Sequence, residues 1–535
     1  MNELWKNVKS CYRAEYILDL PPEAAFMYRC TNNMVPQLSG SCIFYPAGFD
    51  GEYHSQDVIV VGDENTSQYV LAGAVTAFRS LTFFTLNKRG GRFVSIEVKQ
   101  PDIKPEETPE EILILKGADW RDLLVKYAEC TARKMGVKTV NAEKNITGYC
   151  TWYYYYADVT EQDFIENLEA LRKARGSVYS PQLVQIDDGY QRFQGDWLIQ
   201  HDSWKTPLKD IAKNIIAGGM TPGIWLMPFL ASTASSVYQE HKDWFVKDET
   251  GEPLAVLGWS PPPDHHWVCL DSTIPEVREH LKKVFQTFAS WGFNYFKMDG
   301  LGFGLLDGKY SDPEATPLSA FRLGMQAIRE AVPKAILLGC CPPFMGVMGF
   351  VDFCRVGPDT SRYWHKPEVS PNCDMAPGAV CIANALHGSL SLWWMYDRYF
   401  RADPDTLMAR SDNAFYTEGE ARMSVLTGIL SGIAITSDHL GRIAPERLEL
   451  LGKSARYRLR DARPWRWPLD SWPQVFSGIV DGKRAFAIFN DTDMEQTYDL
   501  EEFGLKTAEE VLHPKGLISG KITLISHDAA LLIEQ

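Results

Sequence analysis

Hydrophobic and polar positions change their rhythm twice along the chain of 535 residues. Up to about residue 140, short runs of β-branched and aromatic residues are separated by Gly, Asn and Asp turns, as in 57–62, 69–75 and 92–100. Such runs are typical of β-strands that pair through turns. We therefore expect an antiparallel β-sandwich domain over 1–140, with a helix at 119–136 leading out of it.

From about residue 145, strand-like apolar runs alternate with amphipathic helical segments. Helical spacing of apolar residues occurs at 160–176, 206–219, 275–292 and 320–333. The strand-like runs are 146–156, 182–190, 221–229, 266–271, 293–300, 335–341, 351–359, 388–394 and 432–438. About eight strands alternating with helices predict an α/β fold, a (β/α)8 TIM barrel over 141–455. An open doubly wound sheet is the alternative.

Past about residue 460 this alternation stops. The segment 475–491 predicts a β-hairpin because two apolar runs flank an Asp-Gly pair, which favours a tight hairpin turn. The last residues, 527–535, predict a final strand. We therefore expect a small all-β C-terminal domain, a second β-sandwich, over 456–535.

Composition and charge exclude several classes of function. The formal net charge is −15, and there is no basic block, so nucleic acid and anionic membranes are not expected partners. The N-terminus lacks a signal-peptide pattern, and no apolar run reaches the roughly 18 residues of a spanning helix. The 11 cysteines lack scaffold-like spacing, which favours a reduced, cytoplasmic protein.

The aromatic content is high, with 16 Trp and 23 Tyr. Flat aromatic side chains with a polar edge suit stacking on carbohydrate, although a large core with domain interfaces explains the same composition more simply. Composition alone therefore does not decide the function.

Polar side chains collect where the predicted barrel strands end. The residues are Asp187, Asp188, Trp225, Lys297, Asp299, Cys340, Cys341, Arg355 and Asp359. In a barrel, the carboxyl ends of the strands form the active-site face. Each feature alone has a structural explanation, such as an Asp-Gly turn, a buried ion pair or a core tryptophan. The repetition over four strands favours a functional site at one mouth.

Several chemistries are disfavoured by the residues themselves. The glycines of 300–304 lack the Lys-Ser/Thr of a phosphate loop, and no clear helix follows them. A serine nucleophile in a G-x-S-x-G turn is absent from the sequence. A metal site at 264–266 is a weak alternative, so we expect no metal and no cofactor. Two carboxylates on different strands, with Lys and Arg nearby, are what glycoside cleavage requires.

The ordered motifs resemble those of glycoside hydrolase family 36, the α-galactosidases and raffinose-synthase-like proteins. The resemblance spans about 145–440 and is carried by "VQIDDGYQ", "GDWLIQHDSWKTPLKDIAKNIIAGGMTPGIWLMPF", "HKDWFVKDETGEP", "CLDSTIPEVREHLKKVFQTFASWGFNYFKMDGL" and "CRVGPDTSRYW". It implies a retaining α-galactosidase acting on α-linked galactosides in two displacement steps. It also leads us to expect a homo-oligomer.

The resemblance assigns roles to the matching positions. It implies that Asp299 is the nucleophile and that Asp359 is the general acid, then the general base. The implied sugar contacts are Asp187 and Asp188 at O4 and O6, Lys297 at O3 and O4, Arg355 at O2, Trp225 as a wall and Cys340 at the floor. Charge favours the same assignment, because Lys297 keeps Asp299 ionised while burial and the charge of Asp299 raise the pKa of Asp359.

Two departures from the family pattern leave the substrate open. Tyr190 stands where a Trp often follows the Asp-Asp-Gly turn, and 148–160 is unusually aromatic. Four alternatives therefore remain: a raffinose-synthase-like transglycosidase, an α-N-acetylgalactosaminidase, another retaining α-glycosidase, and a catalytically inactive sugar-binding protein.

Overall fold

The structure is a computed structural model. It describes residues 11–22, 24–30, 42–46, 50–138, 145–258, 260, 262–365, 380–466, 473–514 and 516–535.

The N-terminal part contains nine strands in two antiparallel sheets, as the sequence predicts. The strands are β1 (Tyr12–Ile17), β2 (Phe26–Cys30), β3 (Cys42–Pro46), β4 (Gly51–Gln56), β5 (Val58–Asp63), β6 (Gln68–Ala74), β7 (Phe83–Arg89), β8 (Arg92–Gln100) and β9 (Ile112–Gly117). One sheet has the order β1-β8-β7-β4 and the other β3-β2-β5-β6-β9. Apolar residues from both sheets form a shared core.

Helix α1 (Trp120–Lys134) leads from this region toward the barrel. It begins at Asp119, whose side chain accepts a hydrogen bond from the backbone N–H of Arg121, as a helix cap requires. Its buried face includes Trp120, Leu124 and Tyr127, and it packs on β6 and β9. The helix therefore covers one face of the five-stranded sheet.

The central part contains an eight-stranded parallel barrel and a small antiparallel insertion. Its strands are β10 (Ile146–Cys150), β11 (Leu183–Ile186), β12 (Thr221–Leu226), β13 (Leu230–Ser232), β14 (Ala255–Leu257), β15 (His266–Cys269), β16 (Tyr295–Met298), β17 (Ile336–Gly339), β18 (Phe353–Arg355), β19 (Arg401–Asp403) and β20 (Ile433–Thr436). The parallel order is β19-β18-β17-β16-β12-β11-β10-β20.

The two end strands of this order, β19 and β20, meet at a seam that closes the barrel. No ladder joins them within their described residues; a single parallel bridge links Leu407, in the segment after β19, to Thr436, the last residue of β20. The guanidinium of Arg401 also donates to the carbonyl oxygen of Gly432 at 2.6 Å. The nearly closed barrel confirms the predicted fold class and excludes an open doubly wound sheet.

Helices of the central part pack around the barrel. They are α2 (Trp152–Tyr155), α3 (Glu161–Ala174), α4 (Leu208–Ala217), α5 (Ser236–Glu240), α6 (Pro275–Trp291), α7 (Pro317–Ala331), α8 (Phe344–Val347), α9 (Ile382–Ser391), α10 (Glu418–Ser431) and α11 (Pro445–Arg456). None of the helices in the described ranges has the length and hydropathy that crossing a membrane requires.

Two of the predicted barrel strands are wrong. The run 266–271 contains β15, which pairs antiparallel with β13 and β14 outside the barrel. The run 388–394 lies in α9 and in the 3-10 turn Trp393–Met395. Most of α9 is buried, so its apolar residues show no helical period and resemble a buried strand.

The true seventh strand is β19, which the sequence analysis missed. It has only three residues, and two of them, Arg401 and Asp403, are charged. Nothing in this composition resembles the apolar run of a buried parallel strand.

The C-terminal part is all-β, as the sequence predicts. Its strands are β21 (Arg460–Arg466), β22 (Val475–Val480), β23 (Lys483–Asn490), β24 (Gln496–Asp499), β25 (Thr507–Glu510), β26 (Gly516–Ser519), β27 (Lys521–Leu524) and β28 (Asp528–Glu534). The predicted hairpin is β22–β23, and both of its turn residues, Asp481 and Gly482, have positive φ, as a tight hairpin turn requires. Arg422 of α10 joins this part to the barrel through Asp528 at 2.7 Å.

Candidate active site

The predicted site residues lie together at the carboxyl ends of the barrel strands. Strand β11 is followed by Asp187 and Asp188, β12 carries Trp225, β16 carries Lys297 and is followed by Asp299, β17 is followed by Cys340, and β18 ends in Arg355 and leads to Asp359. The parallel register places the ends of β11, β12, β16, β17 and β18 side by side. The barrel therefore brings the residues that the sequence predicts as a site together at one end of the sheet.

Asp299 is held as an ionised carboxylate. Its Oδ2 accepts a hydrogen bond from the indole N–H of Trp225 at 3.0 Å, and its Oδ1 accepts one from the backbone N–H of Gly300 at 2.7 Å. Burial alone would raise the pKa of Asp299, but the charge of Lys297, hydrogen bonds from Trp225 and Cys340 and the charge of Arg355 outweigh it and lower the pKa. The side chain is half-buried, so one face remains open to the mouth.

Lys297 forms a buried ion pair with Asp187. The distance from Nζ to Oδ2 is 3.0 Å, and both side chains are almost completely buried. Burial acts to lower the pKa of Lys297, but Asp187 holds this pKa well above its usual value. The same carboxylate oxygen accepts a hydrogen bond from the side-chain amide of Gln185 on β11. The pair therefore fixes a permanent cation between two strands.

Asp188 is fixed by the loop that follows β11. Its backbone N–H donates to Asp187 at 3.0 Å, and its Oδ1 accepts hydrogen bonds from the side chains of Gln191 at 2.6 Å and Gln194 at 3.4 Å. These contacts orient a second carboxylate next to Asp187. Two adjacent carboxylates with fixed lone pairs can accept hydrogen bonds from hydroxyl groups of a ligand.

Trp225 is supported from behind by two aromatic side chains. The hydroxyl of Tyr190 donates to its backbone carbonyl oxygen at 3.0 Å. The ring of Trp197 meets the Trp225 ring edge-on at 5.9 Å between centroids. Tyr190 is the residue that departs from the family pattern, and here it supports the wall of the mouth without entering it, since it is fully buried.

Arg355 stands among three carboxylates. Its Nη1 lies 2.7 Å from Oδ1 of Asp359, its Nη2 lies 2.8 Å from Oδ1 of Asp405, and its Nε lies 3.6 Å from Oδ2 of Asp403. Arg355, Asp403 and Asp405 are buried, whereas the side chain of Asp359 is 36% exposed. One cation is therefore shared by three acidic groups.

This sharing sets the proton affinity of Asp359. Burial is the largest cause, and with the charges of Asp405 and Asp299 it raises the pKa of Asp359 to about 6 although Arg355 acts in the opposite direction. Asp359 is therefore protonated in mildly acidic solution. Below about pH 6, the two carboxylates of this mouth therefore hold opposite protonation states.

Sequence reasoning missed Asp403, Asp405 and Tyr153. Asp405 has a φ of 74° and accepts hydrogen bonds from the Tyr153 hydroxyl and from the backbone N–H of Thr360. Tyr153 belongs to the aromatic run after β10, which explains part of that run as support for the acidic group. The sequence signal for these residues is the acidic segment 403–405. It does not follow an apolar run, so it does not look like the end of a barrel strand.

Cys340 lies at the base of the mouth, next to the nucleophile candidate. It is fully buried, and its thiol contributes a hydrogen bond that lowers the pKa of Asp299. The half-buried Cys341 follows it, with 4.0 Å between the two sulfur atoms. In the described part of the chain, the ligand atoms of Asp299, Cys340 and Cys341 form the one group of three His, Cys, Asp or Glu side chains close enough to share a metal ion.

The glycines after Asp299 turn the backbone and do not form a phosphate loop. Gly300 has a φ of 58°, and a 3-10 turn, Leu301–Leu305, follows it. The backbone N–H groups of Leu301 and Gly302 donate to the carbonyl oxygens of Cys340 and Cys341 at 3.3 and 2.9 Å. These two amides are therefore already used within the protein.

The weak metal candidate at 264–266 lies between β14 and the start of β15. Asp264 accepts hydrogen bonds from the backbone N–H of Gln194, and the rings of His265 and His266 lie 4.1 Å apart, tilted by 39°. The structure therefore assigns a local structural role to Asp264.

Comparison with known proteins agrees with the geometry. The Melibiase family model matches residues 146–300, which include Asp187, Asp188, Trp225, Lys297 and Asp299. A curated relative, the α-galactosidase AgaA of Geobacillus stearothermophilus, is 23% identical over 200 residues, which cover 35% of this chain and 26% of the relative. The resemblance to glycoside hydrolase family 36 is confirmed. The matched segment spans about a quarter of that relative's length.

Two solved structures show the same fold. The α-galactosidase of Thermus thermophilus superposes with a TM-score of 0.70 at 21% identity and covers 88% of this chain and 92% of its own. The family 36 α-galactosidase AgaA of Geobacillus stearothermophilus has a TM-score of 0.63 at 12% identity and covers 97% of this chain and 76% of its own. The similarity to family 36 structures therefore extends to both flanks of the barrel.

Proposed function

We propose that this chain is a retaining α-galactosidase that hydrolyses terminal α-linked galactosides. The observation that carries the proposal is the pair of carboxylates with opposite proton affinities, Asp299 with a lowered pKa and Asp359 with a pKa of about 6. A retaining glycosidase needs an ionised nucleophile and a protonated acid in the same pocket.

In the first step, a carboxylate oxygen of Asp299 forms a bond to the anomeric carbon while the glycosidic C–O bond breaks. Asp359 gives its proton to the leaving oxygen. Trp225 and Gly300 each donate to Asp299, so its lone pairs are oriented before substrate binds. Pre-orientation of the nucleophile avoids reorganisation during the step.

In the second step, Asp359 accepts a proton from water, and the water oxygen displaces Asp299 from the anomeric carbon. Ester formation has by then removed the negative charge of Asp299, which is one cause of the raised pKa of Asp359. The pKa of Asp359 therefore falls in the glycosyl-enzyme, and the residue becomes a base. The anomeric carbon is inverted twice, so the product keeps the α configuration.

The sugar contacts belong to the same proposal. Asp187, Asp188 and Lys297 would bind the hydroxyls at O3, O4 and O6, Arg355 would bind O2, Trp225 would wall the ring, and Cys340 would form the floor. Their burial supports this role, because buried charged groups orient a polar ligand with high specificity. Structures of the relatives contain galactosides: a p-nitrophenyl α-galactopyranoside and stachyose with the Thermus enzyme, and raffinose with a Geobacillus enzyme.

A panel of p-nitrophenyl α- and β-glycosides tests the function. We expect release of nitrophenol from the α-galactoside, with the α-anomer of galactose as the first product seen by NMR. Preference for the α-N-acetylgalactosaminide or the α-glucoside would overturn the choice of sugar. A β-anomer as first product would overturn the retaining mechanism.

Product analysis in the presence of sucrose separates hydrolysis from transfer. We expect free galactose to exceed oligosaccharide. More oligosaccharide than galactose would replace hydrolysis with a raffinose-synthase-like transfer reaction. No turnover of any glycoside, together with tight galactose binding, would identify a sugar-binding protein.

We further propose a cytoplasmic location, a homo-oligomeric state and domain boundaries near residues 140 and 455. Cys11, Cys130, Cys150, Cys269, Cys340, Cys341 and Cys354 are free thiols, which supports a reducing compartment. The oligomeric state rests on the family resemblance and is tested by light scattering. Helix α1 ends at Lys134 before β10 begins at Ile146, and α11 ends at Arg456 before β21 begins at Arg460, which supports the boundaries.

A further inference from the structure

Two adjacent thiols lie on the same side of the backbone at the mouth. Side chains of consecutive residues in an extended chain point in opposite directions. Cys341 departs from this rule because its φ is 50°, in the left-handed region, directly after β17. The bend brings the Cys340 and Cys341 sulfur atoms to 4.0 Å from each other.

The bend is held in place by the neighbouring loop. Leu301 and Gly302 donate backbone hydrogen bonds to the carbonyl oxygens of Cys340 and Cys341. Left-handed backbone costs free energy for a residue with a side chain, so it persists only where surrounding contacts fix it. The pair of thiols is therefore a built feature of the mouth.

A carboxylate from another strand completes the group. The Asp299 oxygen and the two sulfur atoms all lie within 4.8 Å of one another. Asp299 follows β16 and the cysteines follow β17, so two strands bring the three ligands together. Cys341 and Asp299 are both half-buried, which leaves a path from the mouth.

The ligand set matches soft, thiophilic divalent cations. Zinc bonds to sulfur at about 2.3 Å, so tetrahedral geometry places two sulfur ligands about 3.8 Å apart, close to the observed separation. Thiolates favour zinc and its heavier relatives over magnesium and calcium, which prefer oxygen ligands. Three protein ligands leave a fourth position for water.

We propose that Cys340, Cys341 and Asp299 form an inhibitory site for a thiophilic divalent cation such as Zn2+ or Cd2+. Two metal–sulfur bonds and one metal–oxygen bond form, and the two thiols release two protons to solvent. The bound ion occupies the oxygen that would attack the sugar, so the metal-bound protein cannot form the glycosyl-enzyme. Lys297 and Arg355 offset the remaining negative charge of the site.

Titration of the full chain with Cd2+ measures this site directly. Cadmium–thiolate bonds absorb in the ultraviolet, so binding is read without any catalytic assay. We expect one equivalent to bind at this site and to give the absorption of a two-thiolate complex. Zn2+ should compete with Cd2+, and Mg2+ should not.

Variants locate the bound ion. Cys341→Ser should weaken Cd2+ binding more than about 100-fold, since it removes a direct ligand. Cys341→Gly suits the left-handed backbone and repeats the test if the serine variant folds poorly. Asp299→Asn should weaken binding while both thiols remain. Cys130→Ser, which changes a half-buried thiol on α1, is the matched control and should bind as the wild type does.

The outcomes are distinct from those of the proposed function. Wild-type affinity in both Cys341 variants would overturn the site, whether or not the chain hydrolyses galactosides. Wild-type affinity in Asp299→Asn would overturn the role of the carboxylate. Full hydrolytic activity with one equivalent of Cd2+ bound would overturn inhibition. A chain without hydrolase activity that shows the expected binding pattern would support the site and contradict the proposed function alone.

Discussion

Each side of the barrel mouth combines one cationic side chain with several carboxylates, and the two sides differ in the number of carboxylates for each cation. The nucleophile side, defined as Asp187, Trp225, Lys297 and Asp299, has one lysine for two carboxylates. The acid side, defined as Arg355, Asp359, Asp403 and Asp405, has one arginine for three carboxylates. The pKa of Asp299 is lowered on the first side, and that of Asp359 is raised to about 6 on the second.

This difference explains how one buried pocket can contain both an ionised carboxylate, Asp299, and a protonated one, Asp359. Burial raises the pKa of both aspartates. On the nucleophile side, hydrogen bonds from the Trp225 indole and the Cys340 thiol, with the charge of Arg355, add to the lysine charge and reverse the effect. On the acid side, the arginine charge is divided among Asp359, Asp403 and Asp405, so burial prevails. The number of donors and cations for each carboxylate therefore decides which aspartate is ionised and which is protonated.

The largest effect is expected from a substitution on the nucleophile side. Asp299→Asn removes the attacking oxygen anion but keeps the size of the side chain, so we expect kcat to fall on the order of 10⁴-fold. Steady-state kinetics with p-nitrophenyl α-galactoside measures it. Asp307→Asn, an exposed aspartate on the loop after the 3-10 turn, is the control and should keep its activity. Near-wild-type turnover by Asp299→Asn would exclude it as nucleophile.

The second largest effect is expected from a substitution on the acid side. Asp359→Asn cannot donate a proton, so we expect about a 10³-fold loss on alkyl galactosides with poor leaving groups. With an acidic nitrophenol leaving group, little protonation is needed, and formation of the glycosyl-enzyme should be much less affected. Burst kinetics separates the two steps. Equal losses in the first step for both leaving groups would contradict the assignment of Asp359 as acid.

The third effect concerns stability rather than rate. Lys297→Met leaves the charge of Asp187 buried without its cation, which we expect to cost about 3 kcal/mol in the free energy of unfolding. The matched control is Lys309→Met, because Lys309 pairs with Glu249 at the same 3.0 Å but in solvent. Exposed pairs contribute about 0–1 kcal/mol. Equal losses in urea denaturation would show that burial of the Lys297 pair does not matter.

The smallest expected effect is a shift in the pH dependence of kcat/KM, which compares the two sides of the mouth. The acid must be protonated, so kcat/KM of the wild type should fall as pH rises through about 6, the pKa of Asp359. Asp405→Asn removes a negative charge that raises this pKa and leaves more of the Arg355 charge to Asp359. Both changes lower the pKa of Asp359, so the alkaline limb should move down by about one pH unit.

The low-pH limb provides the internal control for that experiment. It reports Asp299, whose pKa is lowered and which must be ionised, so activity should be lost as pH falls below the usual range of an aspartate. Asp405→Asn should leave this limb nearly in place. An upward shift of the alkaline limb, or a parallel shift of both limbs, would contradict the role of Asp405.

The nucleophile side could be predicted from sequence, and the acid side only in part. Strands β11 and β16 are buried runs followed directly by aspartates, and β12 between them carries Trp225, a pattern visible without coordinates. Strands β18 and β19 have three residues each, too few for a period to be recognised. Asp403 and Asp405 acquire their role through tertiary contact with Arg355, which no local pattern records.

Two further features, helix α9 and the backbone of Cys341, could not be predicted because tertiary packing determines them. Helix α9 reads as a strand because most of its surface is buried. The left-handed backbone of Cys341 carries no sequence signal, since glycine or asparagine is the usual residue there. Backbone contacts from Leu301 and Gly302 accompany this conformation, and they come from a different strand-end loop.

The seam between β19 and β20 gives the acid side a different mechanical character. Here the barrel wall is joined by side chains and a single bridge, while β16 has hydrogen-bonded neighbours along its whole length. At this seam, β19 and β20 can move apart by small rotations without breaking a row of backbone hydrogen bonds. Amide protons of 401–407 should therefore exchange with solvent sooner than those of 295–298. Insertions at this edge would reshape the leaving-group side of the pocket and leave the attacking carboxylate where it is.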